Sequence, residues 1–206
     1  MIIKQSLRFI KNLILWRKEY LPHFKKRFLF FGKDARIEYP SNIPDAKFVS
    51  VGDNTTILKN SRIQVYNALT GNRANVTIGH NCYIGSSLSI LAGANVEIGD
   101  DVLIASNVLI TSEDHGINPE SEIPYMNQPL ICKPVKIGSG TWIGEKVSVL
   151  PGVTIGQRCI IGTSAVVTKD IPDFCLAVGI PARIIKRYSF KEHKWLPYGG
   201  GGDTNI

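Results

Sequence analysis

Residues 135–168 read VKIGSGTWIGEKVSVLPGVTIGQRCIIGTSAVVT. Here Ile137, Ile143, Val149, Ile155, Ile161 and Val167 stand six residues apart without a slip, and Gly138, Gly144, Gly156 and Gly162 directly follow four of them. A second register falls four residues after each anchor, at Thr141, Val147, Val153, Cys159 and Ala165. Its side chains are small or β-branched. Six is neither the helical repeat of about 3.6 residues nor the two-residue alternation of a half-buried strand. It predicts a prism in which each side is one short strand plus a corner. The large aliphatic points inward and the smaller residue fills the corner. Three sides make a coil, so residues 18 apart stack: Ile137 with Ile155, Ile143 with Ile161, Val149 with Val167. Each coil then covers the apolar face of the last, as in other solenoids.

The pattern extends upstream. Ile98, Ile104 and Ile110 keep the period, with Gly99, Val102 and Val108 in the companion positions. Ile78, Ile84 and Ile90 do the same, with Gly79 and Gly85. Ile78 to Ile98 is 20 residues, two more than a coil, which predicts a bulge in Leu91–Asn95. Val51, Ile57 and Ile63 fit more weakly, and Asn67–Asn75 reads as a loop. The fold class is therefore all-β, a parallel β-helix over residues 36–180. A basic amphipathic segment over 1–35 precedes it. A C-terminal turn, short helix and disordered tail over 181–206 follow it.

The 206 residues suit one domain with modest additions, and 44% hydrophobic with 20% charged content is ordinary for a globular chain. A net charge of +7 points to an acidic partner: a phosphate-rich cofactor, a membrane surface or nucleic acid. Aromatics do not alternate with the basic residues along a strand, so nucleic acid is not expected. Cys82, Cys132, Cys159 and Cys175 lack metal-site spacing and read as reduced thiols; no metal is expected. Near the N-terminus Ile3, Leu7, Ile10 and Ile14 recur at helical spacing among Lys4, Arg8, Lys11 and Lys18. These charges break any membrane span of about 20 residues, and no signal-peptide core is present. The expected location is the cytoplasm, with residues 1–31 packed either on the coil end or a neighbouring subunit, or on the inner membrane surface.

The chemistry is expected where the repeat fails. Between Ile110 and Ile137 a corner is replaced by an excursion, residues 111–136, and a long irregular loop in a regular solenoid is usually functional. Of four histidines only His115 lies in it. Histidine titrates near neutrality, so it can take a proton from a hydroxyl and return it. A carboxylate on its other ring nitrogen would fix the tautomer, and Asp114 and Glu122 are the candidates. Trp142 precedes Ile143 and should point out of the prism, onto a subunit interface or a ligand wall. The repeats end at VTKDIP, residues 167–172, and GIPAR, residues 179–183, makes a fixed turn. Lys169, Arg183, Lys186 and Arg187 could bind phosphates or be surface charges.

The stretch Ile98–Lys186 closely resembles the hexapeptide-repeat O-acetyltransferases, both the maltose/galactoside type and those of lipopolysaccharide and capsule assembly. The motifs that carry the likeness are IGDDVLIASNVLI, EDHG followed by MNQPL, IGSGTWIGEKVSVLPGVTIG and CIIGTSAVVTKDIPDFCLAVGIPARIIKRY. The tail YSFKEHKW resembles the polysaccharide members. The resemblance implies a left-handed helix, a homotrimer with sites between prisms, and acetyl-CoA as co-substrate. It implies His115 as general base, and Asp114 and Glu122 stay the candidates to orient it. It places Trp142, Thr163, Ser164, Ala165 and Lys169 along the cofactor, and Arg183 and Lys186 at its pantetheine and phosphate end. Asn107 also matches a usual asparagine, and Asn127 and Gln128 are candidates for the acceptor. In the galactoside type a Glu about a dozen residues beyond the histidine orients it; here that place holds Asn127 beside Gln128. An acceptor-binding Asn of an earlier coil is likewise replaced by Gly85, Ser86 and Ser87. Both departures favour polysaccharide assembly over a small free sugar.

The reading is thus acetyl transfer from acetyl-CoA to a hydroxyl of a sugar or glycan, without metal or covalent enzyme intermediate. The alternative is N-acetylation of a nucleotide-linked amino sugar or a xenobiotic. A zinc hydratase on this fold would need three converging histidines, and only His80 and His115 are available. A scaffold without catalysis would not need the DHG loop, Trp142 or the VTKD and GIPAR motifs.

Overall fold

The computed structural model describes residues 24–199. The helix expected before residue 24 and the tail expected from residue 200 lie outside the described residues. The rest forms a left-handed parallel β-helix of three sheets, called here faces A, B and C. Face A contains Val49–Val51, Val76–Ile78, Val96–Ile98, Val135–Ile137 and Thr154–Ile155. Face B contains Thr56–Ile57, Tyr83–Ile84, Leu103–Ile104, Trp142–Ile143 and Ile160–Ile161. Face C contains Arg62–Val65, Ser89–Ala92, Leu109–Thr111, Ser148–Val149 and Val166–Val167.

The anchors stack as their spacing requires. Ile57, Ile84, Ile104, Ile143 and Ile161 pair in one column. Ile78, Ile98, Ile137 and Ile155 make a second, and Ile63, Ile90, Ile110, Val149 and Val167 a third. Every one of these side chains is buried. Each contributes on the order of 1.5–3 kcal/mol of transfer free energy. The companion register does a second job. Thr141 Oγ1 donates to the Gly156 carbonyl (2.8 Å) and accepts from the Cys159 amide (3.0 Å), so one hydroxyl joins two coils. Cys159 repeats the donation to the Pro172 carbonyl through its Sγ (3.1 Å), and burial pushes its thiol up to about 11. Cys82, Cys159 and Cys175, all buried, are structural fillers of a column that must be small.

Two of the corners are left-handed backbone. Asn54, Asn81 and Asp101 have φ of 57°, 55° and 57° between faces A and B; Asn60, Ser87 and Asn107 have 63°, 62° and 62° between B and C. Short polar side chains tolerate that region better than most. The third edge, between C and A, takes all the insertions. Asn67–Thr70 forms one helical turn inside the expected loop, ended by Gly71. The two extra residues after Ile90 sit beyond a strand lengthened to Ala92. The excursion after Ile110 leaves from the same edge.

Two expectations need correction. The helix begins before residue 36: Phe30–Phe31 already pairs with Ser50 and Val51 on face A, and Phe24, Phe28 and Phe31 pack edge to face at its end. Among the described residues no short helix follows residue 181. Arg183–Ser189 pairs antiparallel with Cys175–Val178, and Lys194–Pro197 pairs with it in turn. An open edge of face B offers unpaired amides and carbonyls, and a hairpin rich in Ile and Tyr satisfies them better than a helix would. Among the described residues no helix is long and apolar enough to cross a membrane.

Candidate active site

The excursion is a built loop. Its two limbs pair antiparallel, Glu113 with Cys132 and Asp114 with Ile131. The root is tied to the coil below: Ser112 Oγ donates to the Ala94 carbonyl (2.7 Å) and accepts from the Ala94 amide (3.1 Å). Gly93 lies directly under the root. A Cβ on it would come within 2.6 Å of Cys132 Sγ and 2.7 Å of Glu113 Cβ, so only glycine lets the limbs seat there.

Further out, Gln128 is the internal strut. It is 8% exposed. Its Oε1 accepts from the Asn118 amide (3.0 Å), and its Nε2 donates to the Asn118 and Ile123 carbonyls, both at 3.0 Å. Both ends of the amide are engaged inside the loop. The amide expected at the acceptor is thus buried with three internal bonds and holds the loop's shape. Asn127, at the end of the short turn Tyr125–Asn127, is exposed, as is Glu122. Ile117, Ile123, Tyr125 and Met126 are exposed apolar side chains on the same loop.

His115 follows the paired limb Glu113–Asp114 and is exposed. Asp114 is exposed as well. Glu113, not singled out by sequence, is partly buried. Burial raises its carboxyl above the usual range; the charge of His115 opposes that shift and the charge of Asp114 adds to it. The same carboxylate raises the Tyr66 hydroxyl and the Cys132 thiol, in both cases after burial itself. Glu113 thus lies at the root of the loop, paired with Cys132 and packed over Gly93.

The remaining expected site residues lie elsewhere on the prism. Trp142 stands on the outside of face B, 49% exposed, between Leu103 and Ile160 in register. Thr163 and Ser164 are exposed at the corner between B and C, and Ala165 is buried beneath them. The Gly179–Ala182 turn covers this corner: the Val166 amide donates to the Gly179 carbonyl (3.0 Å) and the Ala182 amide to the Val166 carbonyl (2.8 Å). Arg183 and Lys186 follow, both exposed on the terminal hairpin. Lys169 is exposed just after the last face-C strand. Asn107 occupies the same B–C corner two coils below Ser164, with its Nδ2 donating to Glu145 Oε1 at 3.4 Å. The structure therefore gathers Trp142, Thr163, Ser164, Arg183 and Lys186 around face B and its edge with C. It sets His115 at the opposite edge of C. A groove of about 610 Å³ runs outside face A over Gly52, Gly79, Gly99 and Gly138, and none of the expected site residues line it.

Against known proteins, residues 134–169 match the family described as bacterial transferase hexapeptide (six repeats). Residues 75–112 match the hexapeptide repeat of succinyl-transferase. The chain is 40% identical over 128 residues to the galactoside O-acetyltransferase of Escherichia coli (strain K12), covering 59% of this chain and 62% of that one. The chain thus spans under two thirds of that relative's length. It is 29% identical over 195 residues to an Escherichia coli protein ascribed to O-acetyl transfer in lipopolysaccharide biosynthesis, covering 92% and 91%. Among solved structures, a maltose O-acetyltransferase from Clostridium difficile 630 is 31% identical with a TM-score of 0.54, covering 79% and 71%. The N-acyltransferase AntD from Bacillus cereus shares the fold, with a TM-score of 0.72 at 23% identity over 84% and 91%.

Proposed function

The chain belongs to the hexapeptide-repeat acetyltransferase family, and from that premise we propose that it moves the acetyl group of acetyl-CoA to a hydroxyl of a sugar in cell-surface polysaccharide assembly. One observation carries the reading. An exposed His115 stands on a loop whose root and interior are both pinned, at one edge of face C, while the residues suited to a nucleotide thioester crowd the other. His115 takes the proton of the acceptor hydroxyl as its oxygen attacks the thioester carbonyl. Backbone amides of an adjacent coil hold the oxyanion. The tetrahedral intermediate then breaks the carbon–sulfur bond, and the imidazolium returns its proton to the CoA thiolate. Trp142, Thr163 and Ser164 line the pantetheine, while Lys169, Arg183 and Lys186 meet the phosphates. The polysaccharide reading rests on the near full-length likeness to the lipopolysaccharide protein.

We also propose a homotrimer. In one subunit His115 and Trp142 lie on different sides of the prism, so a site containing both draws them from neighbouring copies. Face B supplies the apolar contact: Tyr83, Leu103 and Trp142 are consecutive in register on its outer side and 49%, 41% and 49% exposed.

The test is thiol release from acetyl-CoA with a panel of bacterial glycans and their lipid-linked precursors, for wild type and His115→Ala. The expected loss in the variant is on the order of 100- to 10,000-fold, with acetyl-CoA binding retained. Release with amine acceptors alone would replace O-transfer by N-transfer. Absence of CoA binding would end the enzymatic reading.

A further inference from the structure

The charge of the chain is not spread evenly. Of its 24 Lys and Arg, 11 fall in residues 1–48, with only 4 of its 17 Asp and Glu. Residues 49–206 hold 13 of each and are neutral in sum. The whole excess of +7 therefore lies at one end of the sequence, and the fold makes it one end of the molecule. Phe30–Phe31 and Arg36–Ile37 are the first strands of faces A and B, each outermost in its sheet. Residues 30–48 form this first coil, at the far end of the prism from the terminal hairpin.

Inside, that end is apolar. Phe28 is buried and packs edge to face with Phe24 and Phe31, at centroid distances of 5.2 and 5.0 Å, which closes the core. Outside, it is basic. Lys25, Lys26, Arg27, Lys33, Arg36 and Lys47 belong to it, and among the described residues none of them makes an ion pair. Three acids share the segment. Glu38 turns toward the second coil, where its Oε2 accepts from the Lys59 amide at 3.3 Å, so Asp34 and Asp45 stand against six cations. Lys25 lies over the Phe31 ring at 5.3 Å and Lys47 over Phe48 at 5.0 Å, which holds their charge against apolar surface. Among these cations Leu29 and Phe30 are 58% and 51% exposed.

A surface that is cationic and apolar at once fits a lipid interface. Headgroup phosphates meet the cations, and the acyl boundary beneath takes the apolar side chains. A nucleic-acid strand would ask for stacked aromatics spaced along a groove, whereas three of these rings close the core. We propose that residues 24–48 dock this end of the prism on an anionic lipid bilayer, with Lys26, Arg27, Lys33 and Lys47 at the phosphates and Leu29 and Phe30 entering the headgroup boundary. The docking requires neither His115 as base nor a particular acceptor.

The test is co-sedimentation of the full chain with vesicles of phosphatidylcholine, alone or mixed with phosphatidylglycerol, at low and high salt. Wild type is expected to bind the mixed vesicles, to leave the neutral ones and to be released by salt. Lys26→Gln, Arg27→Gln, Lys33→Gln and Lys47→Gln together should lower partitioning on the order of 100- to 1,000-fold. Arg73→Gln, Arg158→Gln, Lys191→Gln and Lys194→Gln remove as many charges elsewhere and should lower it by less than about tenfold. Leu29→Thr with Phe30→Thr should weaken binding at either salt concentration. Circular dichroism and Tm, followed in every variant, separate lost docking from lost fold. Thiol release from acetyl-CoA with a soluble acceptor should be the same in wild type and the first four-fold variant, so failure of acetyl transfer and failure of docking are read separately. No binding of wild type to mixed vesicles, or an equal loss in the control variant, would overturn the proposal. Full binding after the four substitutions in residues 24–48 would also overturn it and move the contact to residues 1–23. Self-association without vesicles, abolished by Leu29→Thr with Phe30→Thr, would give this end to a second copy instead.

Discussion

Gln128 and Glu113 illustrate how a loop becomes a site. Neither has an unusual side chain. What distinguishes them is burial, partial for Glu113, at the root and waist of an excursion whose other charged and amide side chains are exposed. Gln128 bonds two carbonyls and an amide of the same loop, so its removal strands three polar groups in a partly closed interior. Gln128→Leu should accelerate hydrogen exchange at the Asn118 amide and lower kcat/KM on the order of 10- to 100-fold through misplacement of His115. Its Tm should stay close to wild type, because the loop lies outside the coil. Unchanged exchange at Asn118 would show that another contact holds the loop.

A single coil is the unit of stability. Ile143 is fully buried and contacts its counterparts above and below, Ile161 and Ile104, through strand pairs on both sides. Truncation to Ala leaves a gap that neither neighbour can close, since both are held by their own pairs. Ile143→Ala is expected to cost about 2–5 kcal/mol, read from chemical denaturation at constant m value. A cost under about 1 kcal/mol would mean that adjacent coils slide to fill the space, contrary to their register. The terminal hairpin works at the same scale. It closes the last open edge of face B while carrying Arg183 and Lys186 outward, so capping and the proposed phosphate contacts share one element.

At the scale of the whole molecule, the question is what completes the site. Face B presents a stripe of apolar side chains along several coils, and large exposed apolar patches mark contact surfaces. With His115 at one edge and Trp142 on another face, the proposed three-fold assembly would bury this stripe and bring the two together. Tyr83→Asp combined with Leu103→Asp should convert a trimer into monomers in sedimentation velocity and abolish turnover, with the far-ultraviolet circular dichroism unchanged. A wild type that sediments as a monomer, or a double variant that remains trimeric, would sink the assembly.

The sequence by itself determined the coil, its register and the edge that carries the excursion, because a six-residue period fixes which side chains face inward, wherever the chain lies in the stack. Val51, Ile57 and Ile63 belong to it despite their weak signal, since burial against the next coil, not the glycine that usually follows, defines an anchor. It also placed His115 on the excursion and Trp142 on the outside of the prism, one by its loop and the other by its phase. Only the tertiary structure decided that the chain's end is a hairpin, since the open edge it pairs with exists only after the last coil has formed. Only the structure showed Gln128 bonded within its own loop and Glu113 paired with Cys132 at the root. Those roles depend on which limb packs over Gly93 and on what each side chain touches, and spacing along the chain does not encode contacts across a loop.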